Sequence, residues 1–250
     1  MQMKWIIGID CATRPQRVGI ALAELQHSRP CIVEAEMGTA SGSIAERVAG
    51  WIGKTATALL AIDAPLGWPA NLGRTLASHR AGEAVHELSD RLFLRETDHV
   101  IQRKLGKRPL EVGADRIART AVAALSLLDD LRTRLDEPIP LAWGSSSTER
   151  VSAIEVYPAG TLRAHGLDAP GYKKPLAIET RRRLLERLSE RLDIAEDRTV
   201  LESQVDVLDA VLCVLAGWDY LGGAALEPED RALAEKEGWI WVRRPRSSGN

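Results

Sequence analysis

Four aspartates stand where a carboxylate could do chemistry. The apolar run WIIGID ends on Asp10, and a second run, TALLAID, ends on Asp63. Late in the chain, SQVDVLDAVLCVLAGWDY reads as a helix on which Asp206, Asp209, Ala210, Cys213 and Gly217 recur every three or four residues and so share one face. Side chains that small let a helix approach its neighbour closely, so the acids among them are not simply a solvated surface. Like charges a few ångströms apart raise one another's pKa, and burial adds to the penalty. A hard divalent cation, Mg2+ or Mn2+, resolves the conflict, because it takes carboxylate oxygens together with retained waters. The chemistry this permits is in-line displacement at a phosphodiester, with metal ions stabilising the attacking and leaving oxygens. Asp10, Asp63, Asp206 and Asp209 are therefore the candidate catalytic and metal-ligating residues.

The elements that must position them follow from hydrophobic pattern. Residues 4–10 and 17–24 are β-rich runs joined by CATRPQ, and a third, CIVEAEMG, follows the turn signal HSRP, which predicts an antiparallel meander. Ser43 opens a helical pattern, SIAERVAGWIGK, before TALLAID. A strand, helix, strand order implies a right-handed crossover and parallel pairing, which puts Asp10 and Asp63 at corresponding strand ends. From Pro65 to about Leu135 the pattern is largely helical, including HRAGEAVHELSDRL, and residues 65–150 read as a helical insertion within a single domain spanning 1–250. The serines of WGSSSTER read as an exposed loop. VSAIEVYP is a further strand ending at Glu155 and stopped by Pro158. A charged helix from Lys173, a second helix over 203–220 and a short terminal strand, GWIWV, complete the chain.

Composition narrows the classes. Lys and Arg total 33 against 35 Asp and Glu, a net charge of −2, so no overall field draws the chain to phosphate backbones. Nucleic acid as a partner must use local basic runs: Arg181, Arg182, Arg183 and Arg187; Arg103, Lys104, Lys107 and Arg108; or Arg243, Arg244 and Arg246. Cys11, Cys31 and Cys213 are odd in number and lack CxxC spacing, which fits reduced thiols and neither a disulfide framework nor a thiolate zinc site. No run has the length of a membrane span and the N-terminus lacks a signal pattern, so a cytoplasmic location without membrane contact is the expectation. GKT at 53–55 has Val48 where a phosphate-binding loop needs glycine, GTASG is not a nucleophile elbow, and HExxH is absent.

Six segments in order, GIDCA, AIDAPLGWP, FLRETD, IEVYPAG, DVLDAVLCVLAG and EGWIWV, resemble the family catalogued as domain of unknown function 429, described as predicted nucleases. The order of strands and acids also resembles ribonuclease H-like nucleases, and VDVLDAVLC is similar to the final acidic helix of their resolvase branch. The resemblance implies an α/β ribonuclease H-like fold with a mixed sheet flanked by helices. It implies Asp10 as the central metal ligand, with Asp63, Asp206 and Asp209 as the other acids. Resolvases often carry glutamate on the fourth strand, and the shorter Asp63 would shift or weaken a second metal. Glu155, Arg95 and Asp98 fall on further family motifs and are secondary candidates.

Plainer readings stand beside these. Asp10 and Asp63 are of a type that anchors turns at strand ends. Arg95 and Asp98, at i, i+3, have the spacing of a surface ion pair. The leading expectation is a metal-dependent nuclease acting on DNA or RNA. The alternatives are a catalytically silent ribonuclease H-like binding module, or an actin/sugar-kinase-like phosphoryl-transfer protein, which generally carries the meander twice where this chain shows it once.

Overall fold

The computed structural model describes residues 3–26, 29–113, 115–144, 149–195 and 198–245. Strands β1 (Trp5–Asp10), β2 (Gly19–Leu25) and β3 (Pro30–Met37) form an antiparallel meander, as the β-rich runs and short links predict. Helix α1 (Ile44–Ile52) follows, capped by the Ser43 hydroxyl, which accepts the Glu46 amide at 3.3 Å. It returns the chain to β4 (Ala58–Asp63), which pairs parallel to β1 with Asp10 directly opposite Asp63. Helices α2 (Ala70–Leu76), α3 (Ser89–Phe93), α4 (Glu96–Leu105) and α5 (Asp115–Leu135) lie between β4 and β5 (Val151–Glu155). Then come α6 (Pro158–Ala164), α7 (Ile178–Leu188), β6 (Asp193–Ile194), α8 (Arg198–Ser203), α9 (Val205–Leu221) and α10 (Arg231–Glu237).

The result is a six-stranded mixed sheet in the order β5-β4-β1-β2-β3-β6, flanked by helices. Central β1 and β4 read as near-continuous apolar runs because both of their faces are covered. On one face Ile6, Leu59 and Ala61 pack with the buried side chains of α9; on the other Ile7, Leu60 and Ile62 meet Val48 of α1 and Leu128 of α5. Alternation along β1 and β4 sends Asp10 and Asp63 to the α9 side.

Close approach of α9 depends on glycine. A Cβ at Gly8 would lie 1.9 Å from the Ala210 carbonyl oxygen, and one at Gly19 would lie 2.0 Å from that of Asp206. Gly217, one helical face along, would meet Ile6 at 2.8 Å. The small-residue face of α9 thus lies directly on the sheet.

Several elements differ from the sequence reading. The helix expected over HRAGEAVHELSDRL reduces to Ser89–Phe93; residues 80–87 are mostly exposed, Gly82 takes φ +88°, and a short helix without a packing surface does not hold. The charged helix begins at Ile178, not Lys173, because Pro175 disfavours helical geometry in Lys174, and residues 171–177 form two turns instead. The helix expected over 203–220 forms as α9, beginning at Val205 after Gln204 in extended conformation, and a further short helix, α8, precedes it. GWIWV forms a single bridge, Ile240 to Glu155, and Arg243 just beyond it another to Ala225, without a continuous ladder. Strand β6 carried no sequence signal of its own. The serine run at 145–147, His27 and Ser28 of the turn signal, and Arg246 lie outside the described residues. All three cysteines are free thiols, and among the described residues no helix is long and apolar enough to cross a membrane.

The packing argument predicts opposite effects for two glycine substitutions. Gly8→Ala drives a methyl into backbone and should cost about 3 kcal/mol or more. Gly50 lies exposed on α1, where an added methyl would have nothing within 4 Å, so Gly50→Ala should gain roughly 0.5–1 kcal/mol. Thermal melts of the two variants check this, and equal melting temperatures would contradict the close contact between α9 and β1.

Candidate metal centre

Asp10, Asp63 and Asp209 converge at the carboxyl ends of β1 and β4, each offering an oxygen within 4.8 Å of the others. Strand register brings the first two together, and the seating of α9 on Gly8 brings the third. Asp209 is buried, while Asp10 and Asp63 keep partial exposure into a cleft of about 250 Å³. Among the described residues, neither the Asp10 nor the Asp63 side chain receives a protein hydrogen bond.

Asp209 is differently served. Its Oδ1 accepts the Tyr172 hydroxyl at 2.7 Å, and its Oδ2 lies 2.5 Å from Lys173 Nζ. The Lys173 contact has the distance of an ion pair without the angles of a hydrogen bond, so Oδ2 is held by charge and has no directed donor. The loop carrying both residues is fixed by Arg181, whose buried guanidinium donates to the carbonyls of Tyr172 at 2.8 Å and Lys174 at 2.9 Å, and to that of Glu202.

The electrostatics follow. Burial, then the charges of Asp63 and Asp209, holds Asp10 well above the usual carboxylate range. Burial and Asp209 push Asp63 up to about 7, with Lys173 pulling the other way. Burial likewise raises Asp209, offset in part by Lys173 and Tyr172. Burial would lower the Lys173 pKa, but the three carboxylates, Asp209 foremost, outweigh it and keep the ammonium charged. Cys11, on the cleft wall, is pushed up to about 12 by burial and the neighbouring acids, so its thiolate is suppressed.

Asp206 is not gathered into the trio. It sits one turn earlier on α9 and pairs with Arg17 at 3.3 Å, although its charge still raises Asp10 and Asp209. Arg95, Asp98 and Glu155 form a separate, buried network in place of a surface ion pair. Arg95 makes two bonds to Asp98 (3.1 and 3.2 Å), two to Glu155 (2.7 and 2.8 Å) and one to the Glu237 carbonyl (3.3 Å). All five of its N–H donors are thereby used, leaving none for a phosphate. Glu155 also accepts the Leu66 amide at 2.9 Å, which ties this network to the turn that follows Asp63. Burial pushes Glu155 up, and Arg95 and the Leu66 amide offset only part of that.

Most of the basic runs are consumed structurally. Arg181 is buried, Arg182 and Arg183 pair with Glu179, and Arg187 binds the Gly166 carbonyl. Arg103 pairs with Glu96, Arg108 with Asp90 and Glu111, Arg243 with Asp219, and Arg244 with Glu227. Sequence reasoning missed Tyr172, Lys173 and Glu237. Pro175 signalled that Lys173 lies in a turn; nothing local indicated that Glu237 would accept the first amides of α2 and α4, from Ala70 at 2.7 Å and Glu96 at 2.9 Å.

A mixed α/β sheet with a crowded acidic trio at the ends of its parallel strands defines the class of protein. A family model described as a protein of unknown function (DUF429) matches residues 8–232, and the chain belongs to that family. Comparison with curated proteins and with solved structures returned no match.

The raised acids predict a pH effect. Below about pH 4 the Asp63 carboxyl is neutral in folded and unfolded chains alike. Between that value and about 7 the unfolded chain releases its proton first, so the folded state loses stability as pH rises. Chelator-treated protein should melt lower at pH 8 than at pH 5, and Asp63→Asn should shrink the difference by several degrees, each kcal/mol being worth roughly 2–4 °C. An unchanged difference in the variant would refute the crowding.

Proposed function

We propose that this protein is a metal-dependent nuclease that hydrolyses phosphodiester bonds of DNA or RNA. The observation that carries the reading is that two partly reachable carboxylates, Asp10 and Asp63, stand beside buried Asp209 with no protein donor on either of them among the described residues. Mg2+ or Mn2+ fits that donor set. Ligands at about 2.1 Å around an octahedral ion lie roughly 3–4 Å apart, and the oxygens of the trio lie within 4.8 Å of one another. Three ionised carboxylates against the Lys173 ammonium leave a formal charge of −2, which one divalent ion cancels.

Such a cation supplies Lewis-acid polarisation of a phosphodiester oxygen and makes water nucleophilic near neutral pH. The chain does the placing. Asp10 and Asp63 would hold the ion from the rigid sheet, with Asp209, whose Oδ1 accepts from Tyr172, as the third ligand. Asp206 contributes field from outside the trio, its own charge engaged by Arg17. The Arg95 and Glu155 network holds the turn after Asp63 from the wall of the same cleft. The antiparallel meander with β4 and β5 added parallel supports the ribonuclease H-like reading of the fold. One observation favours a silent binding module instead: Lys173 already compensates part of the acidic charge.

Titration calorimetry with Mn2+ separates these. Wild-type protein should bind, Asp10→Asn should lose binding by at least tenfold, and Asp206→Asn should keep it within a few-fold. Labelled DNA and RNA should be cleaved by the wild type and spared by Asp10→Asn. Mn2+ binding without cleavage of any substrate would favour the silent module; no heat of Mn2+ binding would end the metal reading.

A further inference from the structure

The cleft continues beyond the acids. Lys173 on its wall also lines an adjoining groove of about 480 Å³, together with Lys107, Arg163 and Asp168. On the other side Pro109, Leu110 and Ile117 are shared with a second groove of about 410 Å³ that reaches Arg108 and Arg116. Residues 107–111, following the left-handed turn at Gly106, therefore border all three spaces. They make one continuous track with the acids at its centre.

Charge along the track is uneven. In the first groove Arg163 is neutralised by Asp168 at 2.6 Å, whereas exposed Lys107 has no acidic partner among the described residues. In the second, Arg108 is taken by Asp90 and Glu111, and Arg116 is matched in formal charge by Asp115. Uncompensated positive charge lies on the Lys107 side alone. Lys173 adds to it once a cation takes over the charge of Asp209. Its backbone need not move, because Arg181 holds the carbonyls on either side, those of Tyr172 and Lys174.

We propose that the Lys107 and Lys173 groove is a phosphate subsite for an unpaired nucleic-acid strand, binding the phosphate next to the one held at the acids. This rests on the nuclease reading of the trio and names its substrate class. The central cleft, at about 250 Å³, falls below the roughly 300–1,000 Å³ of ordinary small-ligand sites, so it admits about one nucleotide. Phosphates of a duplex sit on a stiff rod, with a persistence length of about 50 nm, and do not descend to acids recessed in so small a space. An unpaired strand splays one nucleotide at a time, and Tyr157 and the 69% exposed Leu110 offer faces against which a base can lie. The recognition is of the phosphate and the unpaired state, so DNA and RNA are both arms of the test.

Fluorescence anisotropy in Mn2+, read while gels show the strands still intact, measures it with labelled eight-nucleotide single strands of DNA and RNA and a blunt hairpin. At least one single strand should bind tenfold or more tighter than the hairpin. Lys107→Gln should weaken that single strand threefold or more and reduce the slope of log affinity against log salt by about 0.7. Lys54→Gln, exposed near the opposite end of β4, should change neither. Equal affinity for hairpin and strand, no binding of either, or equal effects of the two lysine variants would overturn the subsite. Mn2+ binding with cleavage of duplex alone would discard the subsite and leave the nuclease reading intact. Absence of Mn2+ binding with the Lys107 dependence present would do the reverse.

Discussion

Three carboxylates gathered at the inner end of a cleft repel one another, and the rest of the structure is arranged so that they cannot separate. Asp10 and Asp63 are register partners on adjacent parallel strands, so moving them apart means breaking the centre of the sheet. Asp209 rides on α9, whose backbone lies against β1 because Gly8 has no side chain. That helix is buried along most of its length, including Val207–Gly217, so the hydrophobic burial that seats it also forces its acid toward the other two. Apolar packing thus supplies the free energy that holds the electrostatic conflict in place.

The conflict is only partly relieved by the chain. Lys173 and Tyr172 serve Asp209, and both depend on a turn pinned by buried Arg181. The guanidinium that looks like surface charge in the sequence is therefore a scaffold for the Lys173 ammonium at the site. Replacing Arg181 would act on Asp209 at second hand, through the loop.

The strands and the trio were legible in the sequence to different degrees. WIIGID and TALLAID announced themselves as buried strands ending on acids, and the crossover rule put those acids side by side. The small residues on the face of α9 identified Asp209 as close to the sheet, but the same periodicity also selected Asp206, one turn nearer the helix start, where Arg17 can reach it. Periodicity fixes a face and not a depth. Tyr172, Lys173 and Glu237 act through loops and long-range contacts, such as the 167 residues between Ala70 and Glu237, and nothing local encodes such meetings. Arg95 was ambiguous because an i, i+3 pair has the same spacing whether solvated or buried, and only the third partner, Glu155, decides.

Two groups of acids lie within one small region, and their contrast is informative. Glu155, Asp98 and the Glu237 side chain are all provided with donors: Arg95 for the first two, backbone amides at two helix starts for the third. These acids are satisfied as they stand, as buried polar groups ordinarily are. Asp10 and Asp63 are not, although the same fold shows that a guanidinium or a pair of amides can be brought to a buried carboxylate a short distance away. Burial and the neighbouring carboxylates, with no donor to offset them, raise their pKa and cost stability. A ligand that brought positive charge to the cleft would recover part of that cost as binding free energy.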